Sequence, residues 1–264
     1  MPPLKLSRLE NAKDSLTRGI RSVLMAKPDP SDLKTAILST AHAVGLFLKE
    51  RLSRTDPSLI FTVPADAGKA DAHTVTISES LRRLKRDAKV KIGGKDEKTI
   101  IRLSKTRNRI QHNEIEITFE KAINQVNDVI AFLTDFLNSE LGIDVKTLLN
   151  AEDIYGLLEI GRIANELKRV ATDNIAELER EYLPVRLADL ADSDFEIMLC
   201  PECWEEYYVF SPVNHLSQCQ LCKHQGGFVE CVRCGRNAPR GSMEFQFEDE
   251  WPLCRNCWVD IQAE

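Results

Sequence analysis

Eight cysteines fall into four CxxC pairs, Cys200-Cys203, Cys219-Cys222, Cys231-Cys234 and Cys254-Cys257, and the 264-residue chain has no others. A CxxC turn aims two sulfurs at one metal ion, with backbone N–H groups directed at the sulfurs. Pairs stand 15 residues apart from Cys203 to Cys219 and 19 apart from Cys234 to Cys254, which suits four-cysteine zinc modules. Disulfides would need an oxidising compartment, and the polar, charged stretch after Met1 does not read as a signal peptide. Two structural zinc ions are therefore expected, the first two pairs sharing one and the last two the other. An interleaved cross-brace is the alternative pairing. Four thiolates leave a metal no open position for a substrate, so catalysis is expected elsewhere, with no cofactor of its own.

The second candidate is Arg107-Asn108-Arg109-Ile110-Gln111-His112. It places a cation, an amide and an imidazole within about one and a half helical turns. Ile100, Leu103, Arg107 and Ile110 recur at steps of three and four, which sets Arg107 on the apolar side of a helix. A guanidinium there needs a carboxylate or phosphate partner. Asn108 and His112, four apart, neighbour each other on an adjacent face. An imidazole with its ordinary pKa near ~6.5 gives or takes a proton at physiological pH. An arginine can grip a phosphate through two donors and hold the charge of a pentacoordinate state. The set suits cleavage of an RNA phosphodiester by its own 2′-OH. The bland reading makes His112 a helix cap or a surface residue.

Charge is divided along the chain. Residues 1–150 hold 25 Lys+Arg against 19 Asp+Glu, and residues 151–264 hold 10 against 22. Within 82–109, twelve basic residues meet three acidic ones. Such a run is either a solvated helix face or the footprint of a phosphate-rich partner. Arg82, Arg83, Lys85, Arg86 and Arg109 are the expected RNA contacts. A hydrophobic content of 43% supports a real core in the first part, whereas the small tail would depend on its metals. No apolar run approaches the ~20 residues of a membrane span. A soluble, cytoplasmic protein with no membrane contact is expected.

These residues need a frame. Leu6, Leu9, Leu16, Ile20, Val23 and Leu24 mark a first helix, stopped by Pro28-Asp29-Pro30. Ser31 or Asp32 can cap the next, with Ile37, Val44, Phe47 and Leu48 in its stripe. Residues 54–77 read as an irregular excursion, extended near Thr74–Ile77. Ser78 and Asp96 are expected caps of two basic helices separated at Gly93-Gly94. The clearest helix runs from Phe119 to Leu141, and another from about Ala151 to Glu181, its stripe including Ile154, Leu158, Ile163, Leu167 and Ile175. Then the period switches to two, at Phe195–Leu199 and Met243–Phe247, as ribbons between knuckles require. Trp258–Ile261 reads as a short helix. The fold expected is mainly α: a helical bundle over 1–182, a linker at 183–195, and a small β-rich double zinc-ribbon domain over 196–264 with four cysteines per zinc.

Arg107-Asn108-x3-His112 resembles the signature of the HEPN superfamily, an Arg followed after four to six residues by a His, often with Asn directly after the Arg. The run Ala41–Leu52, apolar with a basic residue near its end, resembles an earlier helix of that family. The order also fits: this helix, a variable excursion, the Arg–His helix, then a long amphipathic helix. The resemblance covers roughly residues 1–150. It implies an all-α bundle that dimerises and unites two Arg–His motifs in one composite site. It further implies a metal-independent endoribonuclease leaving a 2′,3′-cyclic phosphate and a 5′-OH, of the kind used as toxins, antiviral effectors or RNA-processing enzymes. On this resemblance Arg107 binds the scissile phosphate, His112 is acid or base, and Asn108 orients one of them. Toxins of the family that are modified by a nucleotidyltransferase carry a Tyr two residues after the His; Glu114 stands there instead, and that regulation is not expected.

The alternative is a non-catalytic dimeric interaction or nucleic-acid-binding module whose zinc ribbons engage a partner, the acidic tail meeting another protein. Arg107 would then pair with a carboxylate inside the bundle.

Overall fold

The computed structural model describes residues 5–26, 29, 31–69, 71–112, 116–182, 195–203, 205–211, 216–235, 237–239, 243–246, 251–254, 257–258 and 261. The expected breakers Pro28 and Pro30, most of the expected linker (183–194), Glu114, Trp204 and Phe247 lie outside them. So do Val259 and Asp260 of the expected last helix. The chain divides into two compact units, Met1–Ala164 and Asn165–Glu264.

Unit 1 is helical. Helix α1 (Arg8–Met25) starts on a capping box: Ser7 Oγ accepts from the Glu10 N–H, and Glu10 Oε2 accepts from the Ser7 N–H. Helix α2 (Ser31–Thr55) is capped from outside by Asp29, whose Oδ1 accepts from the Ser31 N–H at 2.9 Å. Helix α3 (Ile77–Arg86) takes Thr76 rather than Ser78 as its cap, and α4 (Gly94–His112) already includes Asp96 in its first turn. Helix α5 (Phe119–Phe136) continues into a wider π turn over Leu137–Leu141 and stops at Gly142, whose φ of 67° only glycine adopts freely. A short α6 (Val145–Leu148) leads to α7 (Ala151–Tyr182).

Helix α2 is the hub, packed against α1, α3, α4 and α5. That explains why its buried residues, among them Ile37, Val44, Phe47, Leu48 and Leu52, leave little of its circumference free. At the α1–α2 crossing, a Cβ on Gly19 would meet Thr40 Oγ1 and lie 3.2 Å from the Thr40 backbone nitrogen; only glycine permits that approach.

The excursion between α2 and α3 contains two 3₁₀ turns, Pro57–Ile60 and Pro64–Asp66, and a bridge from Phe61 to Thr74. Arg83 holds it. Its guanidinium donates to the carbonyls of Leu59 (2.8 Å), Phe61 (2.7 Å) and Thr62 (3.2 Å) and to Glu79 Oε1 (2.6 Å), with the side chain 9% exposed. Truncating it strands these acceptors. Arg83→Ala should cost about 3 kcal/mol of stability, whereas exposed Arg82→Ala should cost about 0.5 kcal/mol. Urea melts of the two variants check this, and equal midpoints would contradict it.

The sequence places the domain boundary near 182, but the units separate within α7. Its first half buries Asp153, Gly156, Ile160 and Ala164, while Leu158, an expected stripe residue, is 60% exposed. The reason is size. A Cβ on Gly156 would come within 2.9 Å of Ile20 and 3.1 Å of Leu24, so the small face approaches α1 where the leucine face could not. Arg21 fixes the start of the helix through two bonds to the Asp153 carboxylate, at 2.6 and 3.2 Å.

In unit 2, the second half of α7 is part of the ribbon core. Leu167 and Ala171 pack with Tyr208, Phe210 and Leu221, and Ile175, Leu178 and Tyr182 with Phe195, Val209 and Leu216. Strands β1 (Glu196–Met198), β2 (Tyr208–Ser211) and β3 (Leu216–Cys219) form an antiparallel sheet with β2 central. Two hairpins follow, β4 (Phe228–Glu230) with β5 (Asn237–Pro239) and β6 (Met243–Gln246) with β7 (Trp251–Cys254). The chain is thus mainly α with a small C-terminal β portion. Among the described residues, no helix is long and apolar enough to cross a membrane.

Candidate functional site

Two four-cysteine clusters form from sequential pairs: Cys200, Cys203, Cys219 and Cys222, and then Cys231, Cys234, Cys254 and Cys257. Within each, the sulfurs lie within 4.8 Å of one another. Specific pairs stand at 3.6 Å (Cys200–Cys222, Cys203–Cys219) and 3.8 Å (Cys234–Cys254). A metal ion at ~2.3 Å from four tetrahedral sulfurs requires edges of about 3.8 Å, and a disulfide requires ~2.05 Å. None of the eight is in a disulfide. Backbone N–H groups of Glu202, Cys222 and Cys254 point at Cys200, Cys219 and Cys231 sulfurs at 3.3–3.4 Å. As sulfurs alone, the four cannot all ionise: their mutual hydrogen bonds hold the Cys200 thiol far below the ordinary range and push Cys203 far above it. A divalent cation resolves that conflict, so each cluster can hold one metal ion. The first is wholly buried, whereas Cys234 leaves the second open to solvent.

The other candidate lies in unit 1, on α4. Its buried face is Thr99, Ile100, Leu103 and Thr106. Arg107, at the margin of that face, is half-buried, and Asn108, Arg109 and His112 are exposed. Arg107 donates to Asn108 Oδ1 at 2.9 Å. Among the described residues no carboxylate pairs with it, unlike Arg102, which is 2.8 Å from Asp128. Among the described residues the motif thus keeps a guanidinium off the ion-pair network, with its histidine exposed.

The expected RNA contacts divide. Arg82 pairs with Glu79, Lys85 with Glu97 and Arg86 with Asp87, all on the surface. The Arg82 hydrogen bond holds the Glu79 carboxyl down at about 2. Arg83 is buried in its structural role, bonded to Glu79 and to the carbonyls of Leu59, Phe61 and Thr62, where RNA could not reach it. Arg109 stays on the exposed side of α4. Arg51, the basic residue closing the run Ala41–Leu52, is engaged with Glu140 at 3.0 Å.

Comparison with known proteins gave no relative. No family model, curated protein or solved structure matches the chain significantly. What the site can do is decided by its own geometry.

That geometry adds residues that the sequence pattern did not single out. His42 lies on α2 with Nδ1 2.9 Å from Ser15 Oγ of α1. Burial, then the positive charges of Lys49 and Arg107, holds its imidazole below the ordinary value. Lys49, two turns further along α2, donates to Thr74 Oγ1 at 2.8 Å, and burial and the Arg8 charge depress it in turn. Lys49 of α2 and Arg107 of α4, a helix packed on α2, thus both act on His42. The only sequence signal was negative: His42 interrupts the apolar run Ala41–Leu48, where a polar residue needs a reason.

Proposed function

We propose that unit 1 is a HEPN-type, metal-independent endoribonuclease that cleaves RNA to 2′,3′-cyclic phosphate ends, acting as a homodimer whose two Arg107–His112 motifs form a composite site. We further infer that the two cysteine clusters hold structural zinc. The observation that carries the nuclease reading is the state of Arg107, a half-buried guanidinium whose only partner among the described residues is the neutral amide of Asn108. The rival interaction module expects a carboxylate there. A cation with no carboxylate partner among the described residues suits an incoming phosphate.

In this reading Arg107 binds the non-bridging oxygens of the scissile phosphate and stabilises them as charge builds on attack. Asn108 fixes the guanidinium plane. His112, exposed at the end of α4, transfers a proton to or from a ribose oxygen. Zinc, when bound, supplies only cross-linking of the ribbons. The test is RNA cleavage in brief EDTA, with specific activity followed on dilution. The reading expects cleavage indifferent to the chelator and lost as the dimer dissociates. Cleavage that EDTA abolishes at once, or that persists unchanged in a monomer, contradicts it.

A further inference from the structure

A cleavage of this kind moves two protons, one off the 2′-OH and one onto the departing 5′ oxygen. The Arg107–His112 motif supplies one imidazole per protomer, and the two residues do not share a face. At about 100° per residue, His112 lies roughly 140° round the α4 axis from Arg107. The Arg107 charge is instead felt at His42, on a helix packed against α4. His42 is therefore the imidazole on which Arg107 acts.

Its setting suits proton transfer. One ring nitrogen is tied to Ser15, which fixes the ring; the other has no partner among the described residues, and the residue is exposed. The groups acting on it are Ser15 from α1, Lys49 from its own helix and Arg107 from α4. Burial first, and then these two cations, holds the imidazole below its ordinary value, which favours the neutral ring that can accept a proton. A phosphate bound at Arg107 offsets those charges and makes His42 more basic when substrate arrives.

We propose that His42 is a second catalytic residue of this site, the group that takes the 2′-OH proton while Arg107 holds the phosphate. The proposal rests on the ribonuclease reading. Nδ1–H donates to Ser15 Oγ and the Nε2 lone pair accepts the proton. O2′ bonds to phosphorus, the P–O5′ bond breaks, and imidazolium His112 donates its proton to O5′. The products are a 2′,3′-cyclic phosphate and a 5′-OH. His42 ends protonated and His112 neutral; exchange with solvent restores both, and no further co-reactant enters.

Single-turnover RNA cleavage against pH tests this with the full chain. His42→Asn keeps a donor to Ser15 and removes Nε2; it should lose about 10²–10³-fold in rate with an unchanged melting temperature. Lys49→Gln should move the acidic limb of the parent profile to higher pH, because removing a cation lets the His42 pKa rise. A parent that cleaves while His42→Asn stays within about threefold overturns the proposal and leaves the ribonuclease reading standing. A parent that cleaves no RNA overturns both. Should His42→Asn melt early, the parent decides by NMR: an uncleavable 2′-deoxydinucleotide should raise the His42 titration midpoint, and an unmoved midpoint overturns the proposal.

Discussion

Stripping the metal from the full chain should red-shift tryptophan emission while most helical ellipticity survives. All three tryptophans, Trp204, Trp251 and Trp258, fall within residues 165–264, so the emission reports on unit 2 alone. Four of the eight buried residues in the first ribbon core are the cysteines themselves. In the second cluster Cys231 and Cys257 share the core with Leu253. Without a cation these cores become knots of competing thiols. Structural zinc contributes about 10–16 kcal/mol per site in small modules, comparable to or more than the whole stability of an ordinary domain, about 5–15 kcal/mol. Unit 2 should unfold, and the α7 segment 165–182 should fray with it, since its apolar face packs on that ribbon. Unit 1 has its own core and should stay folded. Release should be biphasic, the second cluster first, because Cys234 is exposed and all of the first cluster is buried. Two equivalents of zinc per chain should be counted in the released fraction. Emission that does not move, or a tail that refolds in chelator, would contradict the account.

The second large effect belongs to Arg107 and His112. His112→Ala should reduce cleavage by about 10²–10⁴-fold, the range of a lost general acid or base. Arg107→Ala should do at least as much, since a preorganised donor to the developing charge is worth about 10²–10³-fold. Arg107→Lys should rescue little, because a point charge cannot replace a planar two-donor grip. None should lower the melting temperature much, as both side chains lie at or near solvent. Single-turnover rates beside thermal melts give the answer. Loss of activity matched by loss of folding would argue for a structural role instead.

How much of this was legible in the sequence differs residue by residue. The cysteine clusters were, including their sequential pairing, because ligand type and short-range spacing are both local properties. Helices α1, α2, α5 and α7 follow from their apolar period. The pattern could not say which unit each half of α7 serves, since an amphipathic stripe records that a face is covered and not what covers it. It also favoured Leu158 over Gly156, although the close approach to α1 is made at Gly156. Arg83 looked like one more member of a basic run. Its burial depends on carbonyls more than twenty residues away, which carry no side-chain signature. His42 escaped for the same reason: Ser15 and Arg107, which give it meaning, are 27 residues before it and 65 after.

The most direct test of the central claim is the chemistry of the product ends. Parent and His112→Ala protein would be incubated briefly with mixed structured and single-stranded RNA in EDTA, and the fragments analysed for their termini. The account predicts 2′,3′-cyclic phosphates and 5′-OH groups from the parent and intact RNA from the variant. Intact RNA from both, or 3′-OH ends from the parent, would contradict it.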